Sequence, residues 1–546
     1  MITNPILPGF NPDPSILRVG NDYYIATSTF EWHPGIALYH STDLKNWNQI
    51  GYALVNKDQV DLTGLNTAMG VWAPCLSYNQ KTAKFYLVFS VVYNIQGQHF
   101  DLDNFMVESD SIHGPWSDAM YINSAGFDPS LFHDDDGKQW IVNLVWENRE
   151  GYEHPGYIAL QEWSTEQKKL IGEPVMISRG GTDRGCLEAP HLYKRNGYYY
   201  LMTAEGGTGY GHAVVMSRAK TITGPYQADP NGVVITSQPQ DFNERGVDDA
   251  YKFHRYNPHS ALQKSGHGSL VETPQGELYI AHLCARPFAP ELRCMLGRET
   301  AIQRCVENDD GWIRMASGDN LAQLQTEAPV AAQHIEQRRN HSIQRDFTAL
   351  DTLPVEFQTY RVAADESWLT LDKEQGLSLK GSGSLFTPRH KSLVARRIQS
   401  FHCAATTCVD FAPQDNHQSA GLVAYYSAQN FYYLRIYHSD TLGGRTVAVM
   451  MSDLGEKKEL KQSRIRIPAD GLVYLKATIN DRALQFSYSL DNKEWMNVGE
   501  VLDSSILSDE YGGQKFTGAF LGLFCQDLHT KSRTASFSHF DYTELD

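Results

Sequence analysis

The chain has 546 residues, 41% of them apolar and 20% charged, with a formal net charge of −17. That length implies more than one domain, and the composition is that of an ordinary globular protein. The acidic balance argues against nucleic acid or an anionic membrane surface as a partner and suits a neutral ligand such as a sugar.

The N-terminal part is built on a repeat. Asn11-Pro12-Asp13-Pro14-Ser15-Ile16-Leu17 is followed by a polar turn and the aromatic run Tyr23-Tyr24-Ile25. The same shape returns at Ala73-Pro74-Cys75-Leu76, Asp128-Pro129-Ser130-Leu131, Glu188-Ala189-Pro190-His191-Leu192 and His267-Gly268-Ser269-Leu270, each with its own turn and second apolar run. Each copy reads as a β-hairpin. Five hairpins at intervals of roughly 50–80 residues predict a five-bladed β-propeller over residues 1–315. Ser41 to Trp47, Ser109 to Trp116 and Ser217 to Tyr226 repeat as well. They read as strand ends whose aromatic packs back on its blade.

Radial symmetry has a chemical consequence. Equivalent positions lie at one end of the ring, equally far from its axis. Asp13, Asp128 and His267 are equivalent, while Ala189 holds that place in the fourth copy and Glu188 precedes it by one residue. Three carboxylates and an imidazole are therefore expected at one mouth of the channel. A one-residue offset turns a strand side chain to the other face, so the expectation requires that the strand has not begun at Glu188.

Residues 316–347 lack strand periodicity and contain little Gly or Ser, which predicts a linker laid over the surface. From 348 to 546 the pattern is all-β without the repeat. Residues 421–426, 431–437, 446–451, 473–478 and 484–488 are strand candidates, and many strands at short spacing predict a β-sandwich.

Cys75, Cys186, Cys284, Cys294, Cys305, Cys403, Cys408 and Cys525 form no C-x-x-C pair. Their spacings predict neither a zinc site nor a disulfide lattice. No apolar run approaches a membrane span. The N-terminus shows no basic segment followed by an apolar one. Together these features predict a cytoplasmic protein with reduced thiols.

Three carboxyl groups at one mouth suit hydrolysis of a glycosidic bond. One carboxylic acid protonates the leaving oxygen and a second carboxylate activates water or attacks carbon. A third, close to the acid, raises its pKa by like-charge repulsion. The plainer reading of Asp before Pro is a turn residue capping its own backbone. A purely structural Asp should recur in every copy, however, and the second copy has Ala73 and the fifth His267.

Taken together, residues 11–15, 27–32, 72–74, 126–130, 188–194 and 266–269 resemble glycoside hydrolase family 43, and specifically its two-domain β-xylosidases, over nearly the whole chain. The resemblance implies a five-bladed propeller followed by a β-sandwich. It implies an inverting mechanism in which Asp13 is the general base, Glu188 the general acid and Asp128 the carboxylate that tunes and orients the acid. The base and acid carboxyl groups would then stand about 6.5–9.5 Å apart. Phe30, Trp72 and Phe127 resemble the apolar walls of the non-reducing sugar subsite, although blade packing is the plainer reading of each. Arg286 resembles an arginine that binds sugar hydroxyls, with a structural ion pair as its alternative. In Lys515-Phe516-Thr517-Gly518-Ala519-Phe520, the aromatic Phe516 resembles a ring that reaches over the pocket from the second domain, which makes the enzyme exo-acting.

His267 is expected to hydrogen-bond near Asp128 or the substrate. The resemblance implies no required cofactor, allows calcium near His267, and is compatible with a homo-oligomer. The activity it implies is release of xylose from the non-reducing ends of β-1,4-xylooligosaccharides, with side activity on terminal α-L-arabinofuranosides. The competing readings are a dedicated α-L-arabinofuranosidase and a non-catalytic carbohydrate-binding propeller.

Overall fold

The structure is a computed structural model of the chain and describes residues 1–247, 249, 251–513 and 516–545. Lys515, at the head of the 515–520 stretch, lies outside the described residues.

Five four-stranded antiparallel sheets follow one another around an axis. Their innermost strands are Ser15–Val19, Gly70–Asn79, Ser130–His133, Glu188–Arg195 and Gln263–Glu272. The hairpin signals mark the first two strands of each blade. In the fourth, Arg195 pairs with Tyr198 across Asn196-Gly197. Both loop residues have positive φ, 48° and 74°, as a tight two-residue turn requires. Neighbouring blades are laced by serines of the inner strands. Ser15 Oγ accepts from Leu76 N–H at 2.9 Å, and the equivalent Ser269 Oγ accepts from Ile16 N–H at 3.0 Å. The ring is sealed where the N-terminal segment pairs with the fifth blade at Leu7 and Thr300 and where Ile2–Thr3 pairs with Gln325–Thr326.

The C-terminal part is a sandwich of two large antiparallel sheets. The strand candidates appear as Gln418–Tyr425, Phe431–Ser439, Gly444–Asp453, Val473–Asn480 and Ala483–Ser489. Strand Ile343–Asp346 pairs with the last strand of the sandwich, so sandwich structure begins within the stretch expected to be linker. The linker proper is anchored rather than loose. Lys45 Nζ, for example, donates to Ala332 O at 3.3 Å.

The two domains share a sheet and a core. Trp32 and His33 of the propeller pair with Tyr360 and Thr359 of the sandwich. Trp32 also stacks on Phe520 with centroids 3.9 Å apart. One apolar cluster runs from Phe30, Trp72 and Phe127 to Tyr360, Tyr425 and Phe520. The second domain is therefore continuous with the wall of the channel mouth. Among the described residues, no helix is long and apolar enough to cross a membrane.

Candidate active site

The repeat appears in the backbone itself. Asp13, Ala73, Asp128, Ala189 and His267 all have φ between 42° and 54°. This left-handed conformation is uncommon for residues other than glycine. One such residue stands at the equivalent place of each blade, just before or within the inner strand, and it swings the chain so that two consecutive side chains can face the axis end. The strand of the fourth blade does begin at Glu188, which pairs with Ala204, contrary to expectation. The register shift between Glu188 and His191 absorbs the offset. Glu188 thus holds the place of Trp72 and Phe127, each one residue before the left-handed position.

Asp13, Asp128, Glu188 and His267 all line one cavity of about 860 Å³. Asp13 is buried and doubly held. Ser28 Oγ donates to its Oδ2 at 2.7 Å, and Arg298 Nη2 donates to its Oδ1 at 2.7 Å. Ser28 in turn accepts the N–H of Ala73 at 2.7 Å. Asp128 makes the matching contact directly, accepting the N–H of Ala189 at 3.0 Å. Each carboxylate thereby binds the left-handed residue of the next blade, directly or through a hydroxyl.

The electrostatics separate these groups. Burial, reinforced by the charge of Asp13, pushes the Asp128 carboxyl up to about 7. Burial together with the charges of Asp128 and Asp13 raises Glu188 well above the usual carboxylate range, against the opposing pull of Arg298. Glu188, pushed towards its protonated form, thus stands beside an arginine-bound carboxyl group, and two carboxyl groups in such different surroundings suit acid/base chemistry. Burial, with repulsion from His191 and Arg298, holds the His267 imidazole well below its ordinary value and therefore neutral. Its Nδ1 lies 3.7 Å from Asp13 Oδ1. Gly266 lets the strand carrying it pass His212, whose ring a Cβ there would meet at 2.3 Å.

The walls are aromatic. Phe30 and Trp72 stand 5.7 Å apart, and Trp72 and Phe127 5.9 Å apart. Phe516 reaches over from the sandwich, 5.5 Å from Trp72 and with the Arg298 guanidinium 5.2 Å from its ring centre. Phe100, Trp146, Arg361 and Phe386 also line the cavity, and none of them belongs to the repeated motif.

Arg286 is a correction. It lies outside this cavity, in a bidentate pair with the buried Glu299 at 2.7 and 2.8 Å. The arginine that binds a carboxyl group of the site is Arg298. It heads the third strand of the fifth blade, where neither the hairpin pattern nor the motifs point.

The residues around His267 do not fit a calcium ion. Calcium takes several oxygen ligands. Here the neighbours are the His191 imidazole, the Arg298 guanidinium and the already engaged Asp13. Among the described residues, no group of three or more His, Cys, Asp or Glu side chains could hold a metal ion.

An aromatic-walled cavity lined by Asp13, Asp128 and Glu188, with one carboxyl group bound by arginine and another pushed towards its protonated form, is the arrangement of an acid/base hydrolase. The description "Glycosyl hydrolases family 43" matches residues 2–313, and "Beta xylosidase C-terminal Concanavalin A-like domain" matches residues 344–543. The chain belongs to glycosyl hydrolase family 43 and is a two-domain glycoside hydrolase. It is 44% identical to the xylosidase/arabinosidase 43B of Humicola insolens, over 99% of this chain and 97% of that one. It is 40% identical to a β-xylosidase of Bacillus subtilis over 100% and 99% of the two chains, and 40% identical to a xylan 1,3-β-xylosidase of a Vibrio species over the same shares. The crystal structure of a xylan β-1,4-xylosidase from Bacillus halodurans superposes with a TM-score of 0.92 at 42% identity, covering 100% of both chains.

Proposed function

We propose that the enzyme is an exo-acting β-xylosidase that removes xylose from the non-reducing ends of short xylooligosaccharides in a single displacement with inversion. The observation that carries this reading is the convergence of Asp13, Asp128 and Glu188 on one cavity partly covered by Phe516 of the second domain. A covered pit accepts a chain end and not the middle of a polymer. Full-length similarity to relatives named as xylosidases supports the choice of sugar.

In this reading Asp13 takes a proton from water as the water attacks the anomeric carbon. Arg298 and Ser28 each donate to one of its oxygens and fix its orientation. Glu188 gives its proton to the departing glycosidic oxygen. Asp128 raises the affinity of Glu188 for that proton through its nearby charge. Phe30, Trp72 and Phe127 pack against the apolar face of the sugar, and neutral His267 offers a hydrogen bond from the axis.

Terminal α-L-arabinofuranosides form a second substrate class, supported by the paired name of the Humicola relative. The Vibrio relative is named for the 1,3 linkage, so 1,3-linked xylosides form a further class to test. A cytoplasmic setting is supported by the spacing of the eight cysteines, which forms no C-x-x-C pair and suggests no disulfide lattice.

The test is proton NMR of xylobiose hydrolysis. Fresh α-xylose from the β-linkage is expected. Fresh β-xylose, or cleavage of arabinofuranosides alone, would overturn the reading.

A further inference from the structure

Three residues before His267 on the same inner strand, Lys264 is buried with its backbone in the left-handed region at φ 55°. Its Nζ donates to Oε1 of Glu510 in the sandwich, and both side chains are almost wholly buried, 4% and 2% exposed. A buried ion pair contributes little to net stability but fixes geometry, because either partner alone would be left as an uncompensated charge. The question is what this pair fixes.

Glu510 lies in the short helical turn Asp509–Gly512, at the root of the loop that carries Phe516. Its other oxygen, Oε2, accepts the N–H of Cys294 at 2.9 Å. At the far end of the loop, Ala519 N–H donates to Met295 O at 3.0 Å. In between, Gly297 lets the two segments touch, since a Cβ there would meet Thr517 O at 2.3 Å. Both ends of the loop are thus pinned to residues 294–297, which run directly into Arg298. Asp509 braces the loop internally, accepting from Thr517 N–H at 3.0 Å and from the Tyr426 hydroxyl.

We propose that Lys264 and Glu510 are positioning residues for the sugar pocket: their ion pair ties the Phe516 loop to the strand of His267 and the segment of Arg298, and so fixes the depth of the pit. The sandwich thereby governs how tightly the terminal sugar is held. Neither residue touches substrate. The inference deepens the exo-xylosidase reading and rests on it for the identity of the sugar.

The experiment compares wild type with Lys264→Met and with Lys264→Met/Glu510→Gln. The single variant leaves a buried carboxylate unpaired and serves as the stability control. The double variant removes both charges and keeps an acceptor for Cys294 N–H. In the double variant, amide hydrogen exchange at Thr517 and Ala519 should accelerate, which needs no sugar. KM for xylobiose and Ki for xylose should each rise about tenfold, the order expected for losing one well-placed aromatic contact, with kcat nearly unchanged. Placed in a Phe516→Ala background, the double variant should add little further. Unchanged exchange, or unchanged KM and Ki in a folded double variant, would overturn the inference. So would full additivity with Phe516→Ala. Failure of the wild type to hydrolyse xylosides would instead count against the proposed function, while the exchange result would still judge the latch.

Discussion

Arg298 Nη2 donates to Asp13 Oδ1 at 2.7 Å, with both side chains about 6% exposed. The arginine immediately precedes the third strand of the last blade and the aspartate the inner strand of the first, so the bond closes the ring chemically as well as structurally. It also opposes the upward push on Asp128 and Glu188. Arg298→Met should therefore do two things. It should lower kcat/KM by about a thousandfold, since a fixed electrostatic contact at the reacting group is lost. It should also move the alkaline limb of the residual activity to higher pH, because both carboxyl groups then hold their protons more tightly. A pH–rate profile of the variant checks both. A limb that stays in place would mean that the guanidinium does not act on the acid.

Glu188 and Asp13 should fail differently when removed. A general acid matters most when the leaving group is poor. Glu188→Ala should lose about a thousandfold or more on xylobiose and far less on a dinitrophenyl xyloside, whose leaving group needs no proton. Asp13→Ala should lose activity on both, because activation of water is needed in either case. Equal losses on the two substrates for Glu188→Ala would remove it from the role of acid.

The acid's proton affinity depends on its neighbour. After burial, the charge of Asp128 is the largest influence raising Glu188. Asp128→Asn removes that charge, so Glu188 should lose its proton at lower pH and the alkaline limb of kcat/KM should shift towards acid. The same groups set a stability trend. Asp128 is raised from 3.8 to about 7 in the folded chain, so the native state holds a proton that the unfolded state has released. Stability contributed in this way is complete below about pH 4 and is lost as pH rises through about 7. Asp128→Asn should therefore melt higher than wild type above pH 7, with the gap opening between pH 4 and 7, although it is the less active protein. Thermal melts across that range would reveal the trade-off. A gap that does not depend on pH would contradict the raised value.

What could be read in the sequence was what repeats. The left-handed residue at the equivalent place of each inner strand is a backbone feature of every blade, and it leaves Asp-Pro, Ala-Pro and His-Gly at regular places. Asp13, Asp128 and His267 were legible for that reason. Glu188 was legible only through its neighbours, since the bulge between Glu188 and His191 that turns it inward leaves no mark in an apolar pattern. Arg298, Ser28 and Trp146 reach the site from outside the five hairpin-opening motifs. Ser28 follows the second strand of its blade and Arg298 precedes a third strand, where the sequence carries no recurring motif to single them out. The sandwich strands were legible from alternation. The docking of Trp32 onto Tyr360 was not, because two-residue pairing between domains has no period.

Arg286 provides the sharpest contrast with Arg298, and its substitution tests where each was placed. Its guanidinium grips both oxygens of Glu299, a fully buried carboxylate whose other contact is the N–H of Gly9 at 2.9 Å. Arg286→Met would leave that charge with one hydrogen bond in a dry setting. Stability should fall by about 3–5 kcal/mol, the usual cost of breaking a buried pair from one side. Glu299→Gln in the same chain should restore much of the loss, since a neutral amide can keep the Gly9 bond. KM for xylobiose should stay near wild type in both variants at temperatures where they are folded, because Arg286 faces away from the pit. Thermal melting and steady-state kinetics on the same preparations separate the outcomes. A raised KM with an unchanged melting temperature would mean that Arg286 meets the sugar after all, and that the pair with Glu299 is not its resting place.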